Sequence, residues 1–181
     1  MHLPTYKPHS VEKEQFIEFW RRQYNDPNEH LYEDNIRQTL TEQTVLNLYR
    51  WKNGTPLSQR KTESLRRNFI ERIDELEAIG KDANIDVLLA RFTQGGAIWK
   101  IFWLHCWEPD RFPIYDQHVH RAMAFIQKGV REEIPTMDEC KILTYKERYL
   151  AFHSEFHYDN RIVDKALWTF GKFLKLYPNF S

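Results

Sequence analysis

The residues best suited to chemistry lie in one stretch, Thr93–Arg121, which reads TQGGAIWKIFWLHCWEPDRFPIYDQHVHR. It holds the pair Gly95-Gly96, a single lysine, Lys100, in a mostly apolar segment, and an aspartate, Asp116, after a proline-containing loop. Charged groups are costly to bury without a partner, so a charge embedded among apolar residues needs a physical reason. We therefore expect the centre of any chemical site in this stretch.

Lys100 has Trp99, Trp103 and Leu104 as its neighbours at helical spacing. An amine that loses hydration among such groups has a lowered pKa, and the neutral amine is a nucleophile able to attack a carbonyl-like carbon. The alternative is that the ammonium group reaches solvent from the first turn of its helix.

Gly95-Gly96 precedes this apolar segment and predicts a tight turn into a helix. Without side chains, the turn would let a phosphate approach the free N–H groups of the helix start, where the helix dipole favours an anion. A simple turn between packed helices is the alternative.

Asp116 stands at the N-cap position of the helix that follows the proline-containing loop, a common place for aspartate. A carboxylate there would also stabilise a developing cation.

The sequence predicts neither a metal site nor a cofactor. His118 and His120 lie two residues apart and cannot share one helical face, and His153 and His157 lack a further ligand at suitable spacing. The Gly-rich phosphate-binding and dinucleotide-binding motifs are absent, as are the HExxH and GxSxG motifs.

Helical periodicity runs through the chain without an alternating strand pattern of useful length, so we predict an all-α fold arranged as an orthogonal helical array. The arrangement expected is a single domain over 1–181, or two small helical lobes that meet at a cleft near Lys100 and Asp116. The segment 97–107 is apolar on nearly every side, which is typical of a central helix. Helices are predicted from Ser10, as an N-cap, to about 25, and over 34–52, 58–79, 85–92, 97–107, 116–128, 138–157 and 159–177.

Composition limits the kind of protein. In 181 residues, 26 Lys and Arg balance 26 Asp and Glu, so any contact with nucleic acid must be local. Cys106 and Cys140 are predicted to be reduced and packed, because two cysteines make no disulfide framework. The segment MHLPTYKPHS lacks the apolar run of a secretory signal, and Ala97–Trp107 is too short to span a membrane. We expect a cytoplasmic protein without membrane contact.

The order of these features resembles the helix-hairpin-helix DNA glycosylase superfamily, of the endonuclease III and 8-oxoguanine glycosylase type. Here a hairpin near Ile85–Glu108 carries the two glycines and Lys100, and Pro113–Arg121 reads PIYDQHVHR. In that family the hairpin backbone binds a DNA phosphate, and the aspartate assists loss of a flipped-out base. Bifunctional members use the lysine to form a Schiff base with the sugar.

The resemblance implies a divergent DNA base-excision glycosylase that hydrolyses the N-glycosidic bond of a flipped-out base, with AP-lyase activity if the lysine is in place. Asp116 and Lys100 would be the catalytic residues. Duplex DNA would be the partner, contacted locally through the hairpin. The residues implied to bind nucleic acid are Gln94, Gly95, Gly96, Ala97, His118 and Arg121.

Alternatives remain open at this stage. The family's lysine stands two residues after the second hairpin glycine, whereas Lys100 stands four residues after Gly96. If the hairpin sets the alignment, Ile98 occupies the lysine position and lyase chemistry is lost. The four-cysteine motif of many relatives is absent, so no iron–sulfur cluster is expected. A non-catalytic nucleic-acid-binding module and an all-α protein-interaction domain are the other functions that fit.

Two features lie outside the central stretch. Asn53-Gly54 is predicted to cap a helix C-terminus, with Asn53 as a polar wedge for a flipped base as the alternative. A basic run either contacts phosphates or forms the solvated face of a helix; its residues are Arg60, Lys61, Arg66, Arg67 and Arg72.

Overall fold

A computed structural model describes residues 11–177, and this part of the chain is helical with no β-strand, which confirms the all-α prediction. Ser10, the predicted cap of the first helix, lies outside the described residues. None of the helices within 11–177 is both long and apolar enough to cross a membrane. Cys106 is buried as predicted, whereas Cys140 is exposed.

The helices follow one another along the whole described segment. They are α1 (Lys13–Arg22), α2 (Glu29–Glu33), α3 (Glu42–Asn53), α4 (Gln59–Asn68), α5 (Ile73–Ile79), α6 (Ile85–Arg91), α7 (Ala97–Trp107), α8 (Gln117–Lys128), α9 (Asp138–Thr144), α10 (Leu150–Ser154) and α11 (Asn160–Leu176). A 3₁₀ turn, Ile70–Arg72, separates α4 from α5, and a π-helical turn, Tyr145–Tyr149, joins α9 to α10.

Two predicted helices begin or break elsewhere than periodicity indicates. The helix predicted over 34–52 starts only after Thr41, because Thr41 and Thr44 exchange side-chain-to-backbone hydrogen bonds in a capping box. The helix predicted over 58–79 breaks at Phe69, whose ring is fully buried and lies 5.6 Å from the rings of both Tyr49 and Trp103. The helix thus breaks where the Phe69 ring packs into the core, and the apolar periodicity of the sequence does not predict this break.

Helix starts and stops that depend on local chemistry are where the sequence predicts them. Gly54 ends α3 in the left-handed conformation, with φ of +71°, so the capping prediction for Asn53-Gly54 is confirmed. The Asn53 side chain donates to the carbonyl of Thr55 instead of extending freely. Asp116 and Asp159 cap α8 and α11 through their carboxylates.

The apolar core consists of two clusters that meet along α7. One cluster gathers side chains from α2 to α7, and the other gathers side chains from α1 and from α8 to α11. Within α7, Phe102 belongs to the first cluster and Ile101 to the second. Eight of the eleven residues of α7 are buried, so the prediction of a central helix is confirmed.

Helices α8 and α11 pack closely at Gly171. A Cβ atom at this position would lie 1.9 Å from the carbonyl oxygen of His118, in the first turn of α8. The close approach fixes the start of α8, and with it the loop that precedes α8.

We predict that Gly171→Ala destabilises the protein by about 1–3 kcal/mol, the usual cost of forcing an extra carbon into a packed contact. An alanine in an open helix position has the opposite effect and stabilises by roughly 0.5–1 kcal/mol relative to glycine. Urea unfolding followed by circular dichroism measures the difference. Lys175→Ala, on the exposed side of α11, is the control. Unchanged or increased stability of Gly171→Ala would contradict the prediction.

Candidate active site

A cleft of about 510 Å³ receives side chains from both halves of the structure. Lys52 and Asn53 come from the end of α3, Asp116 and His118 from the start of α8, and Asp164 from α11. The remaining lining residues are Tyr24, Asp26, Trp51, Gly54, Ile98, Trp99, Ile114, Gln117, Val119, Ile134, Arg161 and Trp168.

Asp116 uses its two carboxylate oxygens differently. Oδ1 accepts hydrogen bonds from the backbone N–H groups of His118, at 2.8 Å, and Val119, at 3.2 Å, which is the N-cap arrangement. Oδ2 accepts from the Lys52 ammonium group at 2.8 Å. Capping therefore accounts for only one oxygen, and the other belongs to an ion pair in the cleft.

Lys52 is the charged partner of Asp116 that the sequence analysis missed. Its side chain is 9% exposed and that of Asp116 is 16% exposed, so both charges are largely withdrawn from solvent. The ammonium group also lies 5.7 Å from the centre of the Phe102 ring. Lys52 is 64 residues from Asp116 in sequence. Its only local signal is a basic residue in the last turn of α3, which the helix dipole favours in any helix.

The environment keeps Asp116 ionised. Burial raises the pKa of its carboxyl group, but Lys52 and the N–H groups of α8 oppose this effect and hold the pKa below its ordinary value. Burial lowers the pKa of His118, despite the nearby Asp116 carboxylate. At neutral pH the cleft therefore presents an ionised carboxylate beside Lys52 and a neutral imidazole.

The loop before Asp116 is held by hydrogen bonds from side chains far along the chain. The hydroxyl of Tyr145 donates to the carbonyl of Pro113 at 3.2 Å, and that of Tyr149 donates to the carbonyl of Ile114 at 2.9 Å. The backbone N–H of Ile114 donates to the buried carboxylate of Asp164 at 3.3 Å. The π-helical turn that carries both tyrosines thus helps to fix the position of the carboxylate two residues beyond Ile114.

Four aromatic residues contribute to the cleft lining. Tyr24, Trp51, Trp99 and Trp168 all line it. Rings of this kind bury large areas and stack on flat, unsaturated ligands. The cleft thus combines a charged pair with walls suited to a planar heterocycle.

The structure does not bring Lys100 and Asp116 together in this cleft. Lys100 is 6% exposed, and its ammonium group donates to the carbonyl of Leu89 at 3.4 Å. Burial lowers the pKa of Lys100, as the sequence analysis expected. Ile98 and Trp99 line the cleft from the start of α7.

The predicted phosphate-binding corner is occupied from within the chain. The N–H of Ala97, the first residue of α7, donates to the Asp138 carboxylate at 3.1 Å. A carboxylate of the chain itself, which also pairs with Lys141, therefore takes up this N–H group. Gly95 has φ of +92°, and a Cβ atom there would lie 2.3 Å from the Phe69 ring. Turn geometry and packing therefore account for Gly95, and Gln94 is exposed on the same turn.

The other two residues predicted to bind nucleic acid differ in placement. His118 lines the cleft. Arg121 is 1% exposed, and its guanidinium group binds Glu133 at 2.7 Å and the carbonyl of Gly171 at 3.1 Å. Arg121 thus holds α8 against α11 from inside the structure and does not present its charge to a ligand.

Within residues 11–177, no group of three or more His, Cys, Asp or Glu side chains is placed to hold a metal ion. Comparisons of the chain with protein-family models, with curated proteins and with solved structures found no match. We therefore infer a function from the cleft and from the resemblance carried by residues 113–121.

We predict that Lys52→Met raises the pKa of Asp116, because the carboxyl group stays buried and loses its cationic partner. In the wild type, ionised Asp116 stabilises the fold above the ordinary aspartate pKa of about 3.9. This contribution is lost as the pH falls towards the lowered pKa of the folded state. In Lys52→Met, the loss moves to higher pH. Carbon-13 NMR titration of the carboxyl group measures the pKa.

Lys128→Met is the control for this titration. It removes an exposed lysine whose partner is Glu132, away from the cleft lining. An equal pKa of Asp116 in Lys52→Met and the wild type would show that the ion pair does not hold the carboxylate in its charged form.

Proposed function

We propose that this protein is a DNA base-excision glycosylase-like enzyme, which hydrolyses the N-glycosidic bond of a base extruded into the cleft. The observation that carries the proposal is the Asp116 carboxylate, ionised, largely buried and fixed on both sides at the cleft wall. The resemblance of residues 113–121 to the glycosylase motif supports the same function.

The reaction follows from the charge of Asp116. As the bond between the sugar carbon and the base nitrogen breaks, its electron pair leaves with the base and positive charge develops on the sugar. A fixed carboxylate stabilises that charge without reorganising. Water then bonds to the sugar carbon and transfers a proton to Asp116, which later releases it to solvent. The departing base takes up a proton from solvent, so the products are free base and an abasic sugar.

The walls of the cleft suit the other requirement of this chemistry. An enzyme that acts on a base within a duplex must extrude it and receive it in a pocket with aromatic or apolar sides. Trp51, Trp99 and Trp168 supply such sides next to Asp116. His118, with its lowered pKa, adds a neutral imidazole that can donate or accept a hydrogen bond.

Lyase activity is a second candidate, and one observation favours it. Lys52 places a primary amine in the cleft, in contact with Asp116. Lys100 is not among the residues that line the cleft. After the Lys52 ammonium group gives up a proton to solvent, its nitrogen would attack the aldehyde carbon of the ring-opened abasic sugar, and loss of the carbonyl oxygen as water would leave an imine. Lys52 therefore replaces Lys100 as the proposed imine-forming residue.

We predict that Asp116→Asn lowers the rate of base release by about 10²–10⁴-fold, the usual contribution of a positioned acid–base group. Single-turnover assays on duplexes with deaminated, oxidised or alkylated bases measure the rate. Asp110→Asn is the matched control, because Asp110 is an exposed aspartate paired with Arg37 outside the cleft. The proposal fails if wild-type protein releases no base from any duplex of the panel.

A borohydride experiment distinguishes the two lysines. If the protein has lyase activity, borohydride reduces the imine to a stable amine and links protein to abasic DNA. We predict that Lys52→Gln abolishes the linked product, whereas Lys100→Gln retains it, because only Lys52 lines the cleft. Loss of the product in Lys100→Gln alone, with circular dichroism showing an intact fold, would restore Lys100 as the nucleophile. No product from wild-type protein would exclude the lyase step.

A further inference from the structure

Exposed ammonium groups without carboxylate partners border the cleft from both halves of the structure. Lys61, on α4, donates to Asn53 Oδ1 at 2.6 Å. Lys172, on α11, lies 4.7 Å from the centre of the Trp168 ring. Asn53 and Trp168 both line the cleft, so each lysine contacts a residue of the lining, one from the end of α3 and the other from α11.

Most other exposed or half-buried lysines in residues 11–177 are neutralised by a neighbouring carboxylate. Lys13 pairs with Glu155, Lys128 with Glu132 and Lys141 with Asp138, and the others in such pairs are Lys81, Lys146 and Lys165. Lys61 and Lys172 make no such pair within the described residues, and neither does Lys175, one turn beyond Lys172. Lys61 and Lys172 are therefore lysines without a carboxylate partner that contact the cleft lining, in a chain whose net charge is zero.

A polyanion that crosses the mouth of the cleft would meet both lysines. At the start of α7, the Asp138 carboxylate already accepts from the N–H of Ala97, so that group is not free for a phosphate. A strand whose nucleotide is extruded into the cleft continues past both rims, and its two flanking phosphates then face the two sides.

We propose that Lys61 and Lys172 bind the DNA phosphates on either side of the nucleotide extruded into the cleft. This inference rests on the proposed function for the place of the nucleotide, but the binding itself requires no catalysis. The two lysines act as point charges and do not distinguish sequences. The ring of Trp168 holds Lys172 near the rim through a cation–π contact, and Asn53 holds Lys61.

The test measures how binding depends on salt. Fluorescence anisotropy gives the affinity of the wild type and of each variant for a short duplex with one tetrahydrofuran abasic-site analogue, at several salt concentrations. Each phosphate contact contributes about 0.9 to the slope of log affinity against log salt. Lys61→Gln and Lys172→Gln are each expected to reduce the slope by about that amount. Lys128→Gln, the same charge change at a paired lysine, is expected to leave the slope unchanged. Slopes equal to the wild-type slope in both variants would overturn the inference.

A second measurement locates the phosphates. A methylphosphonate group replaces, one at a time, each phosphate next to the abasic analogue and removes its charge. The loss of affinity in Lys61→Gln is expected to vanish when the phosphate on one side is neutral, and the loss in Lys172→Gln when the phosphate on the other side is neutral. If only distant neutral phosphates have this effect, the assigned positions are wrong.

The outcomes separate this inference from the proposed function. If the wild type releases base but the salt slopes of both lysine variants are unchanged, the phosphate assignment is wrong and the proposed glycosylase activity is supported. Reduced slopes with no base release from any damaged duplex support the phosphate assignment and remove the glycosylase.

Discussion

The ion pair between Lys52 and Asp116 is the contact on which the rest of the site depends. It connects the end of α3 in one apolar cluster with the start of α8 beside the other. Removing two charges from water is expensive, and the cost is offset only when further hydrogen bonds satisfy them. The N–H groups of His118 and Val119 do this for Asp116. The helix start and the ion pair therefore stabilise the same carboxylate.

Support for that carboxylate extends through the second half of the chain. Tyr145, Tyr149 and Asp164 bind the backbone of the loop that precedes Asp116. Gly171 lets α11 approach the first turn of α8, and Arg121 links the two helices from inside. A charged group in a cleft keeps a defined position only when its backbone is fixed by such contacts.

Features that depend on neighbouring residues could be predicted from the sequence, and features that depend on distant contacts could not. The Asn53-Gly54 cap, the Asp116 cap and the central α7 follow from local chemistry and periodicity. Loss of hydration at Lys100 was also expected, but the direction of its side chain depends on the position of α6. Lys52 was missed because its partner lies 64 residues away.

The helix breaks and the phosphate corner show the same limit. The break at Phe69 accompanies packing of its ring against rings from other helices. The π-helical turn that begins at Tyr145 accompanies a hydrogen bond from the Tyr145 hydroxyl to the loop before α8. The corner at Ala97 looked open because Asp138 follows 41 residues later. The assignment to a glycosylase family and the roles of the site residues stay predictions.

The carboxylate of Asp138 joins the starts of two helices, α7 and α9. It accepts a hydrogen bond from the N–H of Ala97 and so gives the start of α7 a counter-charge from the chain itself, which the helix dipole favours. The same carboxylate pairs with Lys141 at 2.7 Å, so its negative charge is itself partly neutralised within the chain. The start of α7 thus takes its counter-charge from a residue 41 positions further along the chain, and a change at Asp138 would alter the hairpin turn and α9 together.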